Sequence, residues 1–136
     1  MTPHFSLSEL TQTGTGLDNT PNATELARLI QLAINMEHVR HILGDKPLFV
    51  TSGFRSEAVN NAVLGSKTSD HRRAYACDFA PVIPLMDAMK LINDSWLPFD
   101  QLILEPEQGI IHISFAQKFR RQVLVRKGQK YSTLSL

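Results

Sequence analysis

Five histidines stand in this chain: His4, His38, His41, His71 and His112. His71 lies in the run TSDHRRAYACDFAPV, and Asp78 follows it by seven positions. Aspartate is a poor strand residue. It is costly to bury unless it is paired, hydrogen-bonded or bound to a metal. Asp78 nevertheless sits in a short apolar segment, so it either lies at an exposed edge or has a partner. His112 stands in GIIHISF. Strand alternation sends Ile111 and Ile113 to one face and Ile110, His112 and Ser114 to the other. If the strands of Asp78 and His112 are neighbours, the two side chains lie together. A turn ahead of Asp78 then folds His71 over them. Two imidazoles and a carboxylate with a fourth position open is the usual arrangement of catalytic zinc. A water there ionises at a pH of ~7.

The residue types alone leave this open. A lone strand histidine is more often a surface or hydrogen-bonded group than a ligand, and an aspartate at a strand end often caps a turn. His38 and His41 are three apart, a spacing two ligands could use. A solvated helix face near a C-terminus explains them better. His4 is expected to be exposed. Cys77 points away from the Asp78 face and reads as a small core residue.

The segments that must carry these residues are legible in part. FSLSEL has Ser6 and Glu9 at capping-box spacing for a short helix. TQTGTGLDNTPN reads as a loop. Asn22 with Glu25 opens a long helix that Gly44 ends. Its inner stripe is taken as Leu26, Leu29, Ile30, Ala33, Met36 or Glu37, and Arg40. PLFVTS reads as a strand, SEAVNNAVLG as a helix capped by Ser56 and closed by Gly65, and YACDFAPV as a strand. PLMDAMKLIND reads as a helix with Pro84 near its first turn. DQLILE, GIIHISF and RQVLVRK read as three more strands. Helices gather early and strands late, which predicts an α+β fold with an antiparallel sheet and helices packed on one face.

At 136 residues, one domain over 1–136 is expected. The 43% hydrophobic content is enough for a real core. A formal net charge of +1 and the lack of a basic stripe argue against a nucleic-acid partner. No apolar run approaches the ~20 residues of a membrane span. One cysteine excludes an internal disulfide framework. The chain opens with no segment of signal-peptide type, so it is expected to be cytoplasmic as synthesised. The run RRQVLVRK near the end is either a contact for an anionic polymer or an edge strand protected by charge.

The pattern Ser69-x-His71-x-x-Ala74-x-Ala76-x-Asp78, followed by IIHIS, resembles the zinc peptidases of bacterial cell walls. These include D-alanyl-D-alanine carboxypeptidases and phage L-alanyl-D-glutamate endopeptidases. Ala74 stands where the family usually has glycine, a swap that is costly if φ there is positive. HFSLSEL, VTSGFRS and FDQLILE also resemble the small phage-associated branch, so the likeness runs from about Phe5 to Phe115.

The resemblance implies a hedgehog/D-Ala-D-Ala-peptidase-like fold and one zinc per chain, held by His71, Asp78 and His112. It implies a peptidoglycan peptide as substrate; no nucleic-acid or membrane partner is expected from the charge and hydropathy, and a monomer is expected. Arg55 matches the family's arginine near the site. It can fix a substrate carboxylate or steady an oxyanion, although a surface ion pair would also explain it. Ser69 orients the loop, contacts substrate or caps a turn. Gln101 contacts substrate or merely lines a strand edge. Many members carry an acid three positions before the last histidine, and here that position is Gly109. Glu105, at the end of the preceding strand, is the preferred base over Glu107, which is expected to be solvated at the turn tip. The implied activity is hydrolysis of stem peptides, on the wall after release or as a virion component. The alternative is a non-catalytic module of the same fold that binds wall peptide or serves as a phage structural part.

Overall fold

The computed structural model describes all 136 residues. Helix α1 (Leu7–Leu10) is opened by Ser6, whose hydroxyl accepts the Glu9 N–H while the Glu9 carboxylate accepts the Ser6 N–H. The same reciprocal cap, Asn22 with Glu25, opens α2 (Ala23–Ile42). Strand β1 (Leu48–Ser52), helix α3 (Glu57–Ala62), strand β2 (Ala76–Pro81) and helix α4 (Leu85–Asn93) follow. Strands β3 (Gln101–Glu105), β4 (Ile110–Ser114), β5 (Gln122–Lys127) and β6 (Lys130–Thr133) complete the chain. No helix is long and apolar enough to cross a membrane.

The six strands form one sheet in the order β1-β2-β4-β3-β5-β6. Four pairings are antiparallel, but β3 and β5 run parallel. The sheet is therefore mixed, which corrects the expectation of a purely antiparallel one. The physical reason is the connection after β4. Residues 115–121 carry the chain past β3 to its free edge, where β5 starts in the same direction as β3. Two arginines hold that crossing. Arg121 donates to the carbonyls of Asn93, the last residue of α4, and of Leu97 in the loop after it, and Arg120 grips Asp100 through two bonds of 2.8 Å. Strand β6, exposed throughout, has no apolar pattern to betray it.

Helices do pack on one face. Phe79, Leu102, Leu104, Ile111 and Ile113 join Leu29, Met36, Val39, Met89 and Ile92 in the core. The buried stripe of α2 runs through Leu29, Leu32, Ala33, Met36 and Val39. Leu26 and Ile30, assigned inward from spacing, are exposed instead. Cys77 is fully buried as expected, and burial pushes its thiol up. The other sheet face carries the polar strip.

Asn19 ties the loop before α2 to this frame. Its amide donates to the carbonyls of Thr11 and Phe54 and its oxygen accepts the Ser56 N–H at 2.7 Å. Asn19 thereby pins the β1–α3 turn, residues 53–56. Replacing Asn19 with alanine strands buried polar groups. Unfolding stability is expected to fall by about 3 kcal/mol, read as a lower urea midpoint at unchanged slope.

Candidate metal centre

Asp78 and His112 are direct partners in the β2–β4 ladder. Cross-strand partners share a face, so ladder register alone brings the carboxylate and the imidazole together. His112 Nδ1 lies 2.8 Å from Asp78 Oδ1, and His71 Nε2 lies 3.1 Å from the same oxygen. The two imidazole rings meet edge to face at 5.0 Å. His71, Asp78 and His112 offer ligand atoms within 4.8 Å of one another, a spread one cation can bridge.

His71 comes from the loop before β2, and that loop is locked to residues 53–55. The His71 backbone carbonyl accepts the Arg55 N–H at 3.0 Å, and His71 Nδ1 meets the Gly53 carbonyl at 2.7 Å. Gly53 cannot carry a side chain, because a Cβ there would lie 2.5 Å from the Leu10 carbonyl oxygen. The Ser69 hydroxyl accepts the His71 N–H, so Ser69 orients the loop. Arg72 ties the same loop to Glu25 in the first turn of α2 at 2.9 Å. Ala74 has φ +65° and is fully buried. The departure from glycine is therefore of the strained kind, at about 1–2 kcal/mol. Burying its methyl returns about 0.8 kcal/mol.

A carbonyl can only accept, so His71 Nδ1 must donate to Gly53 and Nε2 faces Asp78 Oδ1. A neutral ring would aim a lone pair at an anionic oxygen. A second proton or a cation has to lie between them. Backbone anchoring of one ring nitrogen is the usual support of a metal-binding histidine. Two imidazole nitrogens and one carboxylate oxygen suit zinc best among common cations, so the residues present fit that metal. Burial opposes the charge on Asp78, but the facing His71 and His112 outweigh it and hold its carboxyl well below the usual carboxylate range. Burial also opposes a charge on His112, yet the bond to Asp78 raises its value above 6.5.

The three residues border a cleft of about 1330 Å³ that Arg55, Ser69, Gln101 and Glu105 also line. Arg55 Nη2 lies 3.8 Å from Asp78 Oδ2, and its Nε donates to the Ser52 hydroxyl. Glu105 is 7% exposed and faces the cleft. Burial and the Asp78 charge push its carboxyl above 4.5. Arg126 Nη1 donates to Glu105 Oε1 at 3.2 Å. Glu107 does not line the cleft; it is exposed at the turn tip, where its carboxylate accepts the Gly128 N–H at 2.9 Å. Gly109 has φ +68°, which the tight turn after Glu105 requires and an acidic residue would resist. Gln101 donates to Gln122 on the neighbouring strand at 2.9 Å. His4 pairs with Glu37 and His41 with Asp45, far from this group. Sequence reasoning missed Arg126 and the anchor at Gly53. Arg126 was visible only as part of a basic run, and no spacing signals a backbone acceptor.

A family model described as Peptidase M15 matches residues 3–114. The zinc D-Ala-D-Ala carboxypeptidase of Streptomyces albus G is 38% identical over 56 residues, covering 41% of this chain. The aligned part spans 22% of that relative's own length.

Stripped of metal by a chelator, the protein should show a stability window set by this cluster. The raised His112 value gives stability that is full below pH 6.5 and lost as pH rises through the folded value. The depressed Asp78 value gives stability present above pH 3.8 and lost as pH falls towards the folded value. Thermal melting of the metal-free protein should therefore peak between these limits. Added zinc should restore stability most on the alkaline side, because ligands bind deprotonated.

Proposed function

The chain belongs to the peptidase M15 family, and from that premise we propose that it hydrolyses peptide bonds in peptidoglycan stem peptides with zinc held by His71, Asp78 and His112. The observation that carries this reading is the convergence of those three side chains beside a buried glutamate in one cleft. Zinc, when bound, supplies Lewis acidity and a water that loses its proton near neutral pH.

The remaining work falls to the chain's own residues. Glu105 takes the proton of the attacking water and returns it to the leaving amine. Its place on β3, beside the His112 strand and on the same sheet face, favours that role. Arg126 holds one carboxylate oxygen and leaves the other for the proton. Arg55 steadies negative charge on the carbonyl oxygen as the amide is attacked. Its side chain is half-buried at the cleft wall, with Nη2 3.8 Å from Asp78 Oδ2. Ser69 and Gln101 line the cleft and contact the peptide. One zinc per chain and action on the wall after release complete the proposal.

Gly109, at the position where relatives of this type carry an acid, favours a second reading: a module that binds wall peptide without cutting it. Exchange of Glu105 for glutamine separates the two. With purified peptidoglycan, the wild-type protein is expected to generate new amino termini. The variant should keep its zinc and lose about 10²–10⁴-fold in kcat/KM. Equal rates in both proteins would remove Glu105 from the mechanism. Absence of new termini from either would favour the binding module.

A further inference from the structure

We infer that Lys118 receives a free carboxylate of the peptide substrate, and so selects peptides that carry one within a few residues of the bond cut. This rests on the hydrolase reading above and deepens it, whichever bond of the stem peptide is broken.

Charge pairing along the cleft leaves one cation over. Four carboxylates line it, and each already faces a partner. Asp70 meets Arg73 at 3.0 Å, and Asp78 meets the two imidazoles and Arg55. Glu105 accepts from Arg126, which also donates to the Gly128 carbonyl. Asp100 is saturated by Arg120: its Oδ1 accepts the backbone N–H and Nε, and its Oδ2 accepts Nη2. Lys118 lines the same cleft and is exposed, and no carboxylate pairs with it. The four arginines of the cleft are all spoken for. A spare ammonium on that wall is a point charge ready for an anion that the substrate brings.

The backbone under Lys118 is fixed although its side chain is free. The Ala116 carbonyl accepts the Phe119 N–H at 3.1 Å and closes a turn around Lys118. Phe119 and Arg121 hold positive φ, +43° and +51°. Such backbone persists where the surroundings over-determine it. Here they are the grip of Arg120 on Asp100 and the hold of Arg121 on the Asn93 carbonyl, with its guanidinium 4.3 Å from the Phe99 ring centre. Phe119 is 48% exposed, so burial of its ring does not explain the strain. Lys127 and Lys130 are exposed too, but they lie outside the cleft.

Register sets the distance from the metal ligands. His112 pairs with Ile103, and Asp100 lies three residues before Ile103. That is about 10 Å along the strand. The Arg120 bonds hold the Asp100 carboxyl below its usual range and the Lys118 charge adds to them, so Lys118 stands on the Asp100 side. Glu105 lies two residues past Ile103 in the other direction. The metal ligands thus sit between the base at one end of β3 and the ammonium at the other. An extended peptide covers about three residues in such a length, which bounds how far the carboxylate is from the bond cut. Lys118 lies beyond residues 3–114, the stretch that matches the family.

The test uses the full zinc-loaded chain and four forms of the synthetic stem pentapeptide L-Ala-γ-D-Glu-L-Lys-D-Ala-D-Ala. The α-carboxyl of D-Glu and the C-terminal carboxyl are each left free or amidated. Wild type is compared with Lys118→Met and Lys118→Arg, which should melt at the same temperature because the side chain is exposed. Amidating one of the two carboxyls is expected to lower wild-type kcat/KM about 10–100-fold, mostly through KM. Lys118→Met should show that loss on the free acid and no further loss on amidation. Lys118→Arg should keep the discrimination. Equal effects of Lys118→Met on all four peptides, no effect, or a wild type indifferent to both amidations would overturn the inference. If no peptide is cut, the hydrolase reading fails on that result, and Lys118 is judged by dissociation constants of the same peptides. A preference for acid over amide that Lys118→Met removes keeps the carboxylate site. A preference that survives the exchange, or no binding, removes it.

Discussion

A buried carboxylate that must face two imidazoles organises this molecule. Asp78 Oδ1 lies within 3.1 Å of both His71 and His112, and Oδ2 faces Arg55. A lone buried carboxylate would be costly, and a pair of histidines aimed at it is tolerable only if a proton or a cation is shared. The surroundings are arranged to keep that geometry. The β2–β4 ladder fixes two of the residues by register. The third is fixed by a backbone carbonyl, which in turn needs a glycine pressed against α1. The loop before α2 then holds the glycine's neighbours through Asn19. The chain of dependence runs from a polar loop through a turn to a ring nitrogen.

The sheet serves two masters on its two faces. One face is sealed by α2 and α4 through Phe79, Ile111 and Ile113. It is rigid for the ordinary reason that close-packed apolar side chains leave no room to shift. The other face is left open and polar, so that Asp78, His112, Glu105 and Arg126 project from a stiff support. Strain gathers on this open side. Ala74 and Leu64 both hold positive φ in the segments that wall the cleft. Such backbone persists where neighbouring contacts over-determine it, and here those contacts are the locked 53–55 turn and the cap of α3.

The sequence disclosed the parts that depend on local rules. Capping boxes at Ser6 and Asn22, alternation around His112 and the turn before Asp78 all follow from spacing over a few residues. The convergence of His71, Asp78 and His112 was readable because alternation and one assumed strand pairing suffice for it. Features set by distant contacts were not readable. The parallel β3–β5 pairing depends on where residues 115–121 cross, which arginine clamps decide. The phase of α2 was misjudged because Leu26 and Ile30 satisfy the helical period as well as Leu32 and Val39 do. The salt bridge from Arg126 to Glu105 joins residues 21 apart on parallel strands and leaves no local trace.

The central claim is that one cation is held by two imidazoles and a carboxylate. X-ray absorption at the zinc edge on the loaded protein tests it most directly. The account predicts a four-coordinate centre with two imidazole nitrogens and two oxygens at about 2.0 Å, one oxygen from Asp78 and one from solvent. A shell of oxygens alone, or one with a single imidazole, would mean that His71 and His112 do not share a metal, and the account would fail at its foundation.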